Sequence, residues 1–131
     1  MALNLGLEGK VYPAIAFPVE ADRVARFARA VGDDGSFVPP TFVTAGEFAA
    51  LVQVIADPEL GLDTTRVVHG EQEYEWRRPL RLGEELSVHP RIASIRTRGG
   101  HEFLTVETEM RDPQGELVVL ARNTLIVRRR G

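Results

Sequence analysis

Cysteine is absent from this 131-residue chain, which excludes disulfides, thiolate metal sites and a cysteine nucleophile together. Its absence fits a reducing compartment. Lysine occurs once, as Lys10, so arginine supplies the other positive charges, and the formal net charge is −3. A domain that binds nucleic acid by neutralising phosphates carries a basic face or stripe instead, so no nucleic-acid partner is expected. The N-terminus MALNLGLEGK lacks both a basic start and a long apolar run. No signal peptide is therefore expected, and the cytoplasm is the default location. No apolar stretch has the length of a membrane span. Phosphate loops, a G-x-G-x-x-G after a strand and an H-E-x-x-H helix are missing too, so no cofactor is expected. The three histidines, His69, His89 and His101, sit on three different predicted strands with no spacing that makes them converge on a metal.

What is present is an ordinary globular composition, 44% hydrophobic and 27% charged, which predicts a single domain over residues 1–131 with a real core. Its centre is Thr41 to Ala56, TFVTAGEFAALVQVIA, where apolar residues occur on every side and Glu47 is the one charge. A helix apolar all round belongs in an interior. Pro39-Pro40 and Asp57-Pro58 bound it, and Thr41 is placed to cap its first turn. Sixteen residues at about 1.5 Å each give about 24 Å of helix, enough to cross a small domain and too short for a bilayer.

Before it, residues 10–19 read as an opening strand bent or held at an edge by its prolines. From Glu20 to Val31, Val24, Phe27, Ala28 and Val31 recur at helical spacing with Asp22, Arg23, Arg26 and Arg29 between them. Gly32-Asp33-Asp34-Gly35 ends that surface helix. After the central helix the pattern turns to strands: Val67 to Trp76, Glu85 to Ile95, His101 to Arg111 and Leu117 to Val127. Arg98-Gly99-Gly100 and Asp112-Pro113-Gln114-Gly115 supply tight turns. One face of this antiparallel meander must cover the Thr41 helix, since no other element is apolar enough. An antiparallel sheet wrapped around a central helix is the α+β hot-dog architecture.

Glu47 is a lone carboxylate on that helix, and a buried charge needs a partner. Pairing with an arginine, escape to solvent at the rim, or a contact across a subunit interface would each provide one. His69 lies on a strand over the core helix, where a base could face a cleft. The Arg128-Arg129-Arg130 tail is read as a solvated terminal run.

The segment VVHGEQEYEWRRPLRLGEELSVHPRIASIRTRGGHEFLTVETEMRDPQGELVVLARNTLIV, with EGKVYPAIAFPVEADRVARFARAVGDD at the start and PPTF entering the core helix, resembles MaoC-like dehydratases, above all their N-terminal, fatty-acid-synthase-type dehydratase domain. The resemblance covers nearly the whole chain. It implies a hot-dog fold that dimerises and acyl thioesters of coenzyme A or acyl carrier protein (ACP) as ligands. Catalytic members carry a motif G-D-x-N-P-(apolar)-H, whose aspartate and histidine serve reversible (3R)-hydroxyacyl dehydration. Here the run is Gly32-Asp33-Asp34-Gly35-Ser36-Phe37-Val38. The aspartate survives as Asp33, while Gly35, Ser36 and Val38 stand at the asparagine, proline and histidine positions. The chain also reaches Pro39-Pro40 early, as though a substrate-flanking segment were shortened.

Dehydration beta to a thioester needs a base for the alpha proton and an acid for the departing hydroxide. Val38 removes the group whose ordinary pKa lies nearest neutrality. The expected role is therefore a degenerate or non-catalytic subunit that binds or shapes the acyl group and pairs with a catalytic hot-dog partner. Asp33 stands as the motif's remnant. Pro40, Thr41 and Phe42 are the candidate ligand contacts, because free amides at a helix N-terminus stabilise negative charge on a thioester carbonyl. Two further readings stay open: an active homodimeric enoyl-CoA hydratase using Asp33 and His69, and a non-enzymatic acyl-thioester-binding or partner-stabilising module.

Overall fold

The computed structural model describes residues 2–129. Five strands form one antiparallel sheet: β1 (Ile15–Pro18), β2 (Val67–Trp76), β3 (Glu85–Arg98), β4 (His101–Arg111) and β5 (Leu117–Val127). Their spatial order is β1-β3-β4-β5-β2. Two helices accompany them, α1 (Ala21–Val31) and α2 (Val43–Ile55), and α2 packs on the inner face of the sheet, chiefly against β3. This is the hot-dog fold that the sequence predicts.

Local chemistry explains most boundaries. In β4 and β5, buried and half-buried residues alternate, with Leu104, Val106, Thr108 and Met110 turned inward from β4. The Gly99-Gly100 turn between β3 and β4 has both residues at positive φ, 60° and 83°, which fits the two-residue hairpin that such glycines favour. Gly32 caps α1 in the left-handed conformation, its N–H shared between the carbonyls of Ala28 and Arg29.

Three expectations need correction. The opening strand is shorter than residues 10–19: only Ile15–Pro18 pairs continuously with β3, and Val11 makes an isolated bridge to Arg91. Pro13 has no N–H to give a ladder between them. β3 in turn runs beyond Ile95 to Arg98, because the glycine turn lets pairing continue to Arg98↔His101. Thr41 does not cap α2: Pro40–Phe42 form a 3-10 turn that feeds the helix directly, and the Thr41 carbonyl accepts from Thr44 Oγ1 at 2.8 Å. The sheet covers only part of α2 within one chain. Val43, Ala50 and Val54 are fully buried, but Phe48 is 46% and Val52 61% exposed.

The core has two parts. One gathers Phe17, Val24, Val38, Phe42, Val43, Leu86 and Met110; the other gathers Leu3, Leu51, Val54, Ile92, Leu104 and Leu125. Phe42 joins the helices to the sheet, with Phe17 stacked at 5.6 Å and Phe27 edge-on at 5.5 Å. Gly46 is required where Phe17 crosses α2, since a Cβ there would lie 2.5 Å from the Phe17 ring. At the far end of α2, Asp57 accepts from Lys10 Nζ and Tyr12 Oη, both at 2.7 Å, pinning the N-terminal segment.

Candidate functional site

The run from Gly32 to Thr41 links α1 to α2, and its geometry separates Asp33 from Val38, the two positions compared above with the motif's aspartate and histidine. Asp33 is exposed and turned to its own loop, where Oδ1 accepts from Gly35 N–H at 2.8 Å. Asp34 does the same with Ser36 N–H at 2.9 Å, and that backbone bond holds its carboxyl below the usual range. Asp33 borders a hollow with α1 and Leu82. Val38, four residues beyond Asp34, instead turns inward, 8% exposed.

Val38 lines a different cleft, of about 250 Å³, together with Pro40, Trp76, Arg77, Arg78, Pro79 and Leu80. The strand period puts Trp76 there: Gln72, Tyr74 and Trp76 share the half-buried inner face of β2, while Glu71, Glu73 and Glu75 point to solvent. Arg78 is held against Glu84 at 2.7 Å and lies 3.7 Å from Asp112, and the Glu84 bond raises its pKa further. The cleft is therefore largely apolar, and its ionisable lining groups are guanidiniums.

Of the candidate contacts, Pro40 lines this cleft, while Thr41 is exposed and is not one of its lining residues. Phe42 is 1% exposed and packs in the core against Phe17 and Phe27, so its side chain is not a ligand contact in this cleft. Pro40 has no N–H, Phe42 N–H donates to Pro39 at 2.9 Å, and Val43 N–H turns back to Pro40 and Thr41. Thr41 is left as the amide of this turn without a partner in the described hydrogen bonds. His69 lies elsewhere, its ring edge-on to Phe48 of α2 at 6.2 Å. No hydrogen bond, ring contact or hollow joins it to Asp33 among the described residues.

Glu47 neither pairs with an arginine among the described residues nor reaches solvent. It is 1% exposed, and two neutral donors from β2 hold it: Tyr74 Oη at 2.7 Å and Gln72 Nε2 at 2.8 Å. Gln72 accepts in turn from Asn123 Nδ2 at 2.9 Å. Burial raises the Tyr74 pKa, and the Glu47 bond raises it further. The network locks α2 to the edge strand. The other histidines serve local bonds, His89 Nε2 with Ser87 Oγ at 2.8 Å and His101 Nδ1 accepting from Arg129 N–H at 3.0 Å. Arg128 N–H donates to the Arg66 carbonyl at 2.9 Å and the Arg128 carbonyl accepts from Arg66 Nη1 at 2.7 Å, and Arg130 lies outside the described residues.

Sequence reading missed Trp76, Arg77 and Leu80 as cleft residues, and Tyr74 and Gln72 as partners of Glu47. The signal available was the alternation Gln72, Tyr74, Trp76 along a strand assigned to cover the helix.

Residues 34–121 match the family model described as FAS1-like, dehydratase domain region. A UPF0336 protein of Streptomyces coelicolor is 39% identical over 145 aligned positions, covering 98% of this chain and 97% of that protein. The alignment is longer than the 131 residues here, so that relative carries residues this chain lacks. Among solved structures, the C-terminally truncated HadBC (3R-hydroxyacyl-ACP dehydratase) complex of Mycobacterium tuberculosis superposes with a TM-score of 0.76 at 25% identity, covering 92% of this chain and 96% of that one. A MaoC-like dehydratase gives a TM-score of 0.83 at 24% identity, covering 94% of this chain and 42% of the other. No helix of the described residues is long and apolar enough to cross a membrane. With its matched region and its fold in agreement, the chain belongs to the FAS1-like dehydratase-domain family and has the hot-dog fold of MaoC-like dehydratases.

Proposed function

We propose that this chain is a non-catalytic subunit of a cytoplasmic (3R)-hydroxyacyl thioester dehydratase. It binds or shapes the acyl part of a CoA- or ACP-linked substrate and pairs with a hot-dog chain that carries the intact motif. The observation that carries this reading is Val38. It stands at the histidine position, faces the cleft, and has only apolar groups and two arginines for company there. Elimination of water needs a group that takes a proton near neutral pH, and this cleft offers none. Asp33 is the remaining motif carboxylate, and its Oδ1 is engaged with Gly35 at the loop surface.

Other features support ligand binding and pairing. The apolar cleft, lined by Pro40 where the chain enters α2, suits an acyl group whose carbonyl meets a helix N-terminus. β2 is an open edge of ten residues, and exposed Phe48, Val52 and Val68 lie on α2 and β2 beside it. Such an edge next to apolar surface is what a second hot-dog chain covers. The other edge, β1, has four residues, ends on Pro18 and follows Pro13, and suits pairing less.

The test is complementation. A MaoC-like chain with an intact motif is assayed for trans-2-enoyl-CoA hydration alone and mixed with this chain. The proposal expects a 1:1 complex whose turnover or chain-length range exceeds that of the catalytic chain, and which Asp33→Asn leaves unchanged. Loss of turnover in the Asp33→Asn complex would overturn it.

A further inference from the structure

The solvent face of the sheet carries a row of charges that alternates from strand to strand. Arg91 on β3 pairs with Glu107 on β4, Glu107 accepts from Arg122 Nε on β5 at 2.8 Å, and Arg122 reaches Glu73 on β2. Each is the direct cross-strand neighbour of the next in register. The row runs plus, minus, plus, minus and stops on an acid at the open edge.

Glu73 is not alone there. Glu71, Glu73 and Glu75 occupy successive outward positions of β2 and are all exposed. Arg122 serves both Glu73 and Glu75, the latter at 3.5 Å, and is itself shared with Glu107. The other cations of this face stand further in: Arg111 on β4 is held by Glu109, and Arg96 and Arg98 on β3 border a hollow that also touches Glu71. None of them makes an ion pair with Glu71, Glu73 or Glu75 among the described residues, so Arg122 is the cation paired at this edge, and it is shared. The edge is therefore acidic on its outward side.

We infer that this edge selects an unlike partner, a hot-dog strand bearing arginine or lysine at alternate outward positions, and disfavours a second copy of this chain. The inference rests on the reading above that β2 is the edge that pairs. Two copies joined antiparallel about a two-fold axis keep outward residues opposite outward residues. Every axis placed between Glu71 and Glu75 then sets glutamate against glutamate, and directly opposed like charges destabilise a sheet. A basic strand would continue the alternation and place a cation against Glu73. The charge pattern chooses between partners, while the apolar surface of Phe48 and Val52 supplies attraction to either.

The test uses this chain and a charge-swapped copy of it. Self-association is measured by analytical ultracentrifugation for the wild type and for Glu71→Gln/Glu73→Gln/Glu75→Gln at low and high salt. The neutral variant should dimerise about tenfold more tightly at low salt. The gap should close towards 1 M, where the Debye length is about 3 Å. Separately, Glu71→Lys/Glu73→Lys/Glu75→Lys is mixed with a mass-tagged wild type, and native mass spectrometry should show the mixed dimer well above the statistical ratio. Equal self-association of wild type and Gln variant, or a statistical mixture, overturns the inference, as does a monomer in every sample. Should the Lys variant misfold through repulsion from Arg122, the Gln arm decides alone. Neither arm reads turnover, so failure here leaves the non-catalytic reading standing, and activity of the isolated chain would leave this inference standing.

Discussion

Tyr74→Phe removes one of the two donors that hold the buried Glu47 and leaves the shape of the site almost unchanged. Tyr74 Oη lies 2.7 Å from Glu47 Oε1, and the carboxyl group is 1% exposed, so water does not replace the lost bond without moving α2 off β2. Leaving a buried polar group short of a partner costs about 1–3 kcal/mol. At this chain length each kcal/mol lowers the melting temperature by about 3–5 °C, so a fall of about 3–15 °C is expected. Urea unfolding, followed at one protein concentration because association feeds into apparent stability, measures it directly. Glu47→Met removes the acceptor while keeping an unbranched side chain that fits a helix. The double variant should then be less destabilised than the two single effects combined, by about 1–2 kcal/mol, because replacing both partners leaves no orphan from this bond. Gln72 keeps a second acceptor, the Arg122 carbonyl at 3.4 Å. Additivity of the two changes to within about 0.5 kcal/mol would refute the claim that this pair locks the helix to the edge strand.

Other consequences are more local. Gly46→Ala forces a Cβ against the Phe17 ring, so it should destabilise by about 1–2 kcal/mol in the same urea assay, although alanine is the better helix former. Phe42→Ala should cost about 3–5 kcal/mol, since a fully buried ring between Phe17 and Phe27 leaves a cavity. Asp57 has its folded pKa lowered to about 2, first by Lys10 and then by Tyr12. Its ordinary value is about 3.9, so the unfolded chain binds this proton first. The stability it contributes is thus present above about pH 4 and lost as pH falls towards 2. Thermal melts between pH 5 and 2 should show that loss, and Asp57→Asn should flatten it.

How far the sequence could be read depended on whether a feature was local. β2, β4 and β5 begin and end at the expected residues because alternation and the glycine turns that bound the strands are written in consecutive positions. The amphipathic α1 and its Gly32 cap were legible for the same reason. The entry to α2 was less so, since Pro39-Pro40-Thr41 signals a helix start equally well for a capped α-helix and for the 3-10 turn that forms. Partners were legible least. Glu47 announced itself as a buried charge, but which donors meet it follows from how β2 lies over α2, a contact across 25 and 27 residues of sequence. The cleft likewise joins Val38 and Pro40 to residues 76–80, which no motif connects. The exposure of Phe48 and Val52 shows the reverse limit, for an all-apolar helix pattern states that surface will be covered and leaves open whether the same chain covers it.

The central claim is that the cleft lacks chemistry of its own because valine stands where the family's histidine would be. The most direct measurement is the loss of enoyl absorbance when the purified, folded chain alone is mixed with a trans-2-enoyl-CoA, with Asp33→Asn beside it. The account predicts no turnover above buffer from either protein. Turnover that is present in the wild type and vanishes in Asp33→Asn would contradict it.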